Sequence, residues 1–346
     1  MARERGGQLV VLRQRGGSGS PFGDAEGTAP AAAERFLRRP PLPGRAVELV
    51  EQGLLPIDLL RLGPAVHHCL SLYGTPLISR PRLVVTMHDV VPLQWPGRYL
   101  RTGMTHRALY GAVRRAAAII CPSSAAREDL FAHLAIDHDR VVVIPEAADE
   151  RFRPADPSPV RARLGLEGPY LLYVGGLAQH DARKDVKGLI DAFAEWSRAE
   201  ARPETLVLTG ALGPSGRELE ERARRAGARA AFTGFVPDAE LTGLYSGATC
   251  LISASRYEGF GLPALEAIAC GTPVVAYQAG AIPETAGPGA LLAPTGDGAA
   301  LMHAAGRVCD ERELRERLSV EGRRHAGAFS WRRTAELTWD VYEEVA

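Results

Sequence analysis

Lysine is nearly missing from this sequence. Of 41 basic residues in 346, only Lys184 and Lys187 are lysines. Where arginine serves almost everywhere else, a retained lysine marks a place needing a compact point charge, unless it is a chance survivor of a genomic bias. An excess of either sign is missing too. The 41 acidic residues balance the basic ones, which argues against nucleic acid as a partner. No apolar run approaches the roughly 18 residues that span a bilayer. Met1 to Gly7 carry charge but no apolar signal core, so no secretory leader is expected. Cysteines are five and scattered (Cys69, Cys121, Cys250, Cys270, Cys309), with no Cys-x-x-Cys pair. That excludes a disulfide framework and a zinc site, and points to reduced thiols in the cytoplasm. No Gly-x-Gly-x-x-Gly follows the first strand of either half, which weakens a dinucleotide-dependent oxidoreductase.

What is present is ordinary globular composition, 46% apolar and 24% charged, in a chain long enough for two domains. Residues 1–45 are turn-rich and read as poorly ordered or truncated, with a candidate strand over 8–12. A helical pattern starts at Ala46 and ends near Leu55-Pro56. Residues 82–87 read as a buried parallel strand ending at His88-Asp89. Ligands collect beyond the carboxyl ends of such strands, so His88 is the histidine best placed for chemistry; a satisfied strand-end cap is the competing reading. Residues 101–118 predict an amphipathic helix with Arg101, His106, Arg107, Arg114 and Arg115. Such a helix either lies on an anionic membrane or is a solvated face. Asp137-His138-Asp139 has the spacing of a metal–sugar-nucleotide pair but precedes a strand, and reads as a turn. Pro154, Pro157 and Pro159 break the chain into two domains, 1–153 and 154–330.

The second half alternates strands (170–174, 205–209, 230–233, 249–253, 273–277, 290–293) with helices (187–198, 215–226, 238–246, 262–270). That predicts βαβ units and a doubly wound parallel sheet. Three strand ends would share one edge. Gly175-Gly176 opens a loop through Arg183-Lys184-Asp185. Gly234-Phe235-Val236 closes another strand. Glu258-Gly259-Phe260-Gly261-Leu262 leads into a helix that carries Glu266. Glycines and a helix N-terminus suit phosphate, and carboxylates suit sugar hydroxyls; together they suit a sugar nucleotide. The plainer reading of that loop is a helix cap with a solvated glutamate at each end.

Residues 257–267, then 269–275 and Ile282-Pro283-Glu284, resemble the family-4 glycosyltransferases of the GT-B fold. The likeness extends through Gly234-Phe235-Val236-Pro237-Asp238, Arg183-Lys184-Asp185, Val143-Ile144-Pro145 and 88–93. It implies two Rossmann-like domains facing across a cleft, and a retaining, metal-independent hexosyltransferase needing no cofactor beyond its nucleotide-sugar donor. The acceptor would be a glycan or a lipid-linked molecule, and the enzyme cytoplasmic or peripheral to the membrane. By the same resemblance Lys184, with Arg183, would neutralise the diphosphate. Glu266 would bind ribose. Glu258 and the backbone at Phe260 and Gly261 would hold the sugar, which His88 would reach from the first domain. A final helix over 331–346 would return to that domain. Three departures stand out. Gly176 lies where the family often has a basic residue, and Asp185 where it often has Asn. The usual first strand and Gly-Gly loop are not seen, so either Met1 is a mis-assigned start or the first domain is shortened, and the latter leaves a non-catalytic partner of an active transferase as the alternative.

Overall fold

The computed structural model describes residues 9–14, 32–37, 45–99 and 103–346. The turn-rich stretch at 16–23 lies outside these residues, as do Gln8, Arg101 and Thr102. Ala32 and Ala33, read as loop, belong to a strand.

The first part runs β1 (Leu9–Gln14), β2 (Ala32–Leu37), α1 (Arg45–Leu62), β3 (Val66–Cys69), β4 (Arg82–Thr86), α2 (Val91–Gln94), α3 (Pro96–Tyr99), α4 (Gly103–Val113), β5 (Ala118–Cys121), α5 (Ser124–His133) and β6 (Val141–Val143). Strands β3 to β6 form a parallel sheet in the order β3-β4-β5-β6, and β1 pairs with β2. The second part runs α6 (Ser158–Leu164), β7 (Tyr170–Val174), α7 (Val186–Ala199), β8 (Thr205–Thr209), α8 (Pro214–Ala226), β9 (Ala230–Gly234), α9 (Asp238–Ser246), β10 (Cys250–Ser253), α10 (Leu262–Ala269), β11 (Val274–Tyr277), α11 (Ile282–Ala286), β12 (Ala290–Ala293), α12 (Gly298–Asp310), α13 (Arg312–Ala326) and α14 (Trp331–Val345).

Its sheet is parallel and six-stranded, in the order β12-β11-β10-β7-β8-β9. The order reverses between β7 and β10. The helices that follow those two strands, α7 and α10, pack into cores on opposite faces of the sheet, and such a reversal is the usual ligand position. The core follows from sequence period. Every residue from Tyr170 to Tyr173 is buried, as a strand covered on both faces requires. Helix α7 buries Val186, Leu189, Ile190, Phe193, Ala194 and Trp196, an i, i+3, i+4, i+7 stripe.

Several boundaries shift by one or two residues, and three departures from expectation are larger. Helix α1 passes through Pro56 to Leu62, because burial of Leu55 and Leu59 outweighs one lost backbone hydrogen bond. Pro157 and Pro159 do not break all structure; they start α6, where a missing N–H costs nothing. Helix α4 stops at Val113, well short of Ala118, which opens β5. Helix α14 lies against the first sheet. Val341 packs with Val84, Ala118, Ile120 and Ile144, and the Thr334 hydroxyl donates to the Pro145 carbonyl at 2.6 Å.

Candidate functional site

The carboxyl ends of the two sheets face each other. After β7 the chain passes Gly175 and Gly176 and reaches a single 3₁₀ turn, Ala182–Lys184, started by Asp181. The Asp181 carboxylate accepts from the Arg183 amide at 3.0 Å and from its guanidinium at 3.0 and 3.2 Å. That guanidinium also stands 3.9 Å from Asp89 of the first domain. Arg183 is thus held by carboxylates: burial lowers its pKa, but Asp181, Glu258 and Asp89 together outweigh that and leave it raised. Lys184 turns the other way, its Nζ 2.6 Å from Glu258 Oε1 in the loop after β10. The two chemically distinctive loops therefore meet where the strand order reverses.

Asp185 takes a left-handed backbone conformation, φ 44°, which Asn and Asp tolerate best. Its carboxylate caps α7 through the Gly188 amide and is paired with Arg256 Nε and Nη2 at 2.9 and 2.8 Å. The aspartate at a place where Asn is common is accommodated by that pairing. At Gly176 an added Cβ would meet nothing within 4 Å.

The loop 258–261 is shaped by close backbone contacts. Glu258 accepts from the Ala281 amide at 2.9 Å. A Cβ at Gly259 would collide with the His88 carbonyl oxygen, so only glycine permits that approach of the two domains. Gly261 has φ +92° and caps α10. The helix terminus offers less to an anion than its sequence promises. Pro263 has no N–H, and the Ala264 and Leu265 amides both donate to the Gly261 carbonyl at 2.9 and 3.3 Å. The Leu262 amide is what remains. The Phe260 side chain belongs to the core, edge-on to Phe329 at 6.0 Å. One helical turn on, Glu266 accepts from the buried Tyr245 hydroxyl at 2.7 Å. Burial raises the Glu266 pKa, opposed by that hydrogen bond. Beyond β9, Val236 is buried and the neighbouring Phe235 is 72% exposed. The Gly234 carbonyl is tied to the Gly210 amide at 3.0 Å.

On the facing side, His88 follows β4 and is half exposed. Its Nδ1 lies 2.8 Å from Glu146 Oε1, beyond β6, and its Nε2 2.8 Å from the Leu70 carbonyl, beyond β3. Ser123, beyond β5, donates to the Gly259 carbonyl at 2.5 Å. Glu284 accepts from the Ser124 and Ala125 amides, both at 3.0 Å, and so caps α5 from the other domain. The sequence shows Glu284 only within a motif and Ser123 only as a cap for α5, a role it fills by accepting from the Ala126 amide, and it gives no sign of Glu146 or Tyr245. The cleft partners of Glu146, Ser123 and Tyr245 lie 58, 136 and 21 residues away, and no local pattern announces them. Asp137 caps the turn His138–Arg140 before β6, remote from this edge. The side chains of Arg101 and His106 lie outside the described residues. Among the described residues, no helix is long and apolar enough to cross a membrane.

Two family patterns match the chain in succession. Glycosyltransferase Family 4 matches residues 1–152, and Glycosyl transferases group 1 matches residues 159–325. O-antigen chain mannosyltransferase B of Escherichia coli is 28% identical over 318 residues, 89% of this chain and 82% of the relative. A D-inositol 3-phosphate glycosyltransferase of Saccharomonospora viridis is 36% identical over 222 residues, 60% of this chain but half the length of that relative. Sucrose-phosphate synthase from Thermosynechococcus elongatus superposes with a TM-score of 0.81 at 23% identity, covering 99% of this chain and 90% of that one. Anabaena HepE, solved with UDP and glucose, gives 0.72 at 20% identity, covering 90% and 86%. At those identities the likeness carries the fold alone. The fold matches over nearly the whole chain, and the two family patterns fall one on each domain, so the chain belongs to the family-4 glycosyltransferases of the GT-B fold.

Proposed function

We propose that this chain transfers a hexose, specifically mannose, from a nucleotide-diphosphate sugar to a glycan or lipid-linked acceptor, with retention of anomeric configuration and without a metal. The carrying observation is the meeting of Lys184 and Glu258 where the strand order reverses between β7 and β10, in the loop that enters α10 at Leu262. In this reading the lysine ammonium and the Leu262 amide stabilise charge developing on the leaving diphosphate, the work a divalent cation does elsewhere. Glu266 accepts from ribose hydroxyls, Glu258 from sugar hydroxyls, and Phe235 with the 234–236 backbone meets the base. Gly175 and Gly176 leave room for phosphate. The name of the Escherichia coli relative supports mannose, and the UDP of the Anabaena structure supports a nucleotide donor. The basic stretch 101–118 would bring the enzyme to a lipid-linked acceptor at the cytoplasmic membrane face.

Titrating the purified protein with UDP-, GDP- and ADP-sugars tests the reading. Micromolar to millimolar binding of at least one sugar nucleotide is expected, and transfer should persist in EDTA. The anomeric coupling in the product NMR spectrum should match that of the donor. Failure to bind any member of the panel would sink the proposal. Binding without turnover on any acceptor would favour a non-catalytic partner.

A further inference from the structure

His88 is held by two groups that can only accept. Glu146 Oε1 is 2.8 Å from Nδ1, and the Leu70 carbonyl oxygen is 2.8 Å from Nε2. A carboxylate and a carbonyl carry no hydrogen to give. A neutral imidazole has one N–H, so one of these contacts would set a lone pair against a lone pair. The doubly protonated ring satisfies both. We propose that Glu146 is a positioning residue that holds His88 in the cleft as a fixed imidazolium cation.

The surroundings agree. The hydrogen bond to Glu146 raises the His88 pKa, burial opposes it, and the Leu70 carbonyl and Asp89, next in the chain, add to the rise. Two histidines on the neighbouring strand β3 do not compete as cations. His67 and His68 are lowered to about 4 by burial, and His68 bonds the Tyr342 and Thr86 hydroxyls. Arg183, across the cleft, is paired with Asp181 and faces Asp89 rather than the ring. Glu146 is 16% exposed and His88 49%, so the anchor is sheltered while the cation is presented.

This bears on chemistry and rests on the transferase reading above. A ring with both nitrogens donating has no lone pair to take a proton, so His88 is not a general base in this arrangement. Anchored at Nδ1 by Glu146, it can release Leu70 and offer Nε2–H, with its charge, to an oxygen of the bound substrate. Its own carbonyl packs on Gly259, which keeps that cation beside the donor loop.

Imidazole nitrogen NMR on the full chain, with His88 assigned through His88→Gln, tests this without any substrate. In the wild type, both ring nitrogens should carry hydrogen at about pH 7, with a midpoint above the ordinary value of about 6.5. Glu146→Gln keeps the shape and an acceptor but removes the charge. Its midpoint should fall by about 1 unit or more. Transfer by that variant should lose about tenfold more in kcat at about pH 8 than at about pH 6, where the ring still protonates. Glu146→Asp should keep the raised midpoint. A neutral His88 in the wild type at about pH 7, or equal midpoints in wild type and Glu146→Gln, would overturn the assignment. Absence of transfer with every sugar nucleotide would instead overturn the functional reading and leave the titration result standing.

Discussion

Lys184 Nζ stands 2.6 Å from Glu258 Oε1, and the pair joins the two loops that flank the reversal of strand order. Both groups are mostly covered, at 21% and 12% exposure. Removing either leaves the other charge poorly solvated. Lys184→Ala and Glu258→Ala should each cost about 1–3 kcal/mol in chemical denaturation and abolish detectable transfer. The double variant should be less destabilised than the sum of the two, because neither charge is then orphaned. Strict additivity, or full activity in either single variant, would remove the pair from the site.

Glu266 gives a prediction with a definite sign. Burial raises its pKa in the folded protein. The folded state thus binds the proton more tightly than the unfolded chain. Stability from this group is complete below the ordinary carboxylate pKa of about 4.3 and is lost as pH rises through the raised folded value. At neutral pH the ionised carboxylate is a net cost to folding, consistent with retention for a ligand. Glu266→Gln should therefore raise Tm at about pH 7–8, with the gain vanishing toward about pH 4, while donor affinity falls. A lower Tm at neutral pH would mean that the Tyr245 hydrogen bond outweighs the burial cost.

Contacts that join the domains across the cleft include the Ser123 hydroxyl on the Gly259 carbonyl, Glu284 on the α5 amides, and Gly259 against the His88 carbonyl. Gly259→Ala inserts a methyl group where backbone already stands and should open the cleft outright. Glu284→Ala removes a cap worth about 1 kcal/mol and should open it partly. Small-angle scattering should show a larger radius of gyration for Gly259→Ala than for Glu284→Ala, and for both above wild type. Unchanged radii alongside unchanged activity would show that the contacts do not govern closure.

Phe235 is an exposed aromatic side chain on the loop beside Gly234. Nothing in the core depends on it. Phe235→Ala should leave Tm unchanged and weaken nucleotide binding by about 1–3 kcal/mol, the usual worth of base stacking on an aromatic ring. Calorimetry with the free nucleoside diphosphate separates this from any contact with the sugar. Equal affinity in the variant would place the base elsewhere.

Much of the scaffold was legible along the chain. The strands at 170–174, 205–209 and 290–293 and helices α9 and α14 lie where periodicity put them. Short apolar runs bounded by turn residues read as strands, and the longer segments between them as helices. Elements whose local signal conflicts with tertiary burial were misjudged. Helix α1 crosses Pro56, and α6 grows from a proline cluster that reads as a break. At the site, the glycines and carboxylates of 258–266 announced themselves because a loop entering a helix has a compact sequence signature.

Sequence by itself determined the doubly wound second domain, the glycine loop entering α10, and the family to which both belong, because each is written in neighbouring residues. Tertiary structure decided which charges meet. It set Lys184 on Glu258, turned Arg183 onto Asp181, narrowed the α10 terminus to one amide, and placed Glu146 on His88. These pairings, Arg183 with Asp181 apart, join residues distant in the chain, brought together only when separate strands end on one edge. Charge selection at the cleft is therefore a property of the closed fold rather than of any segment within it.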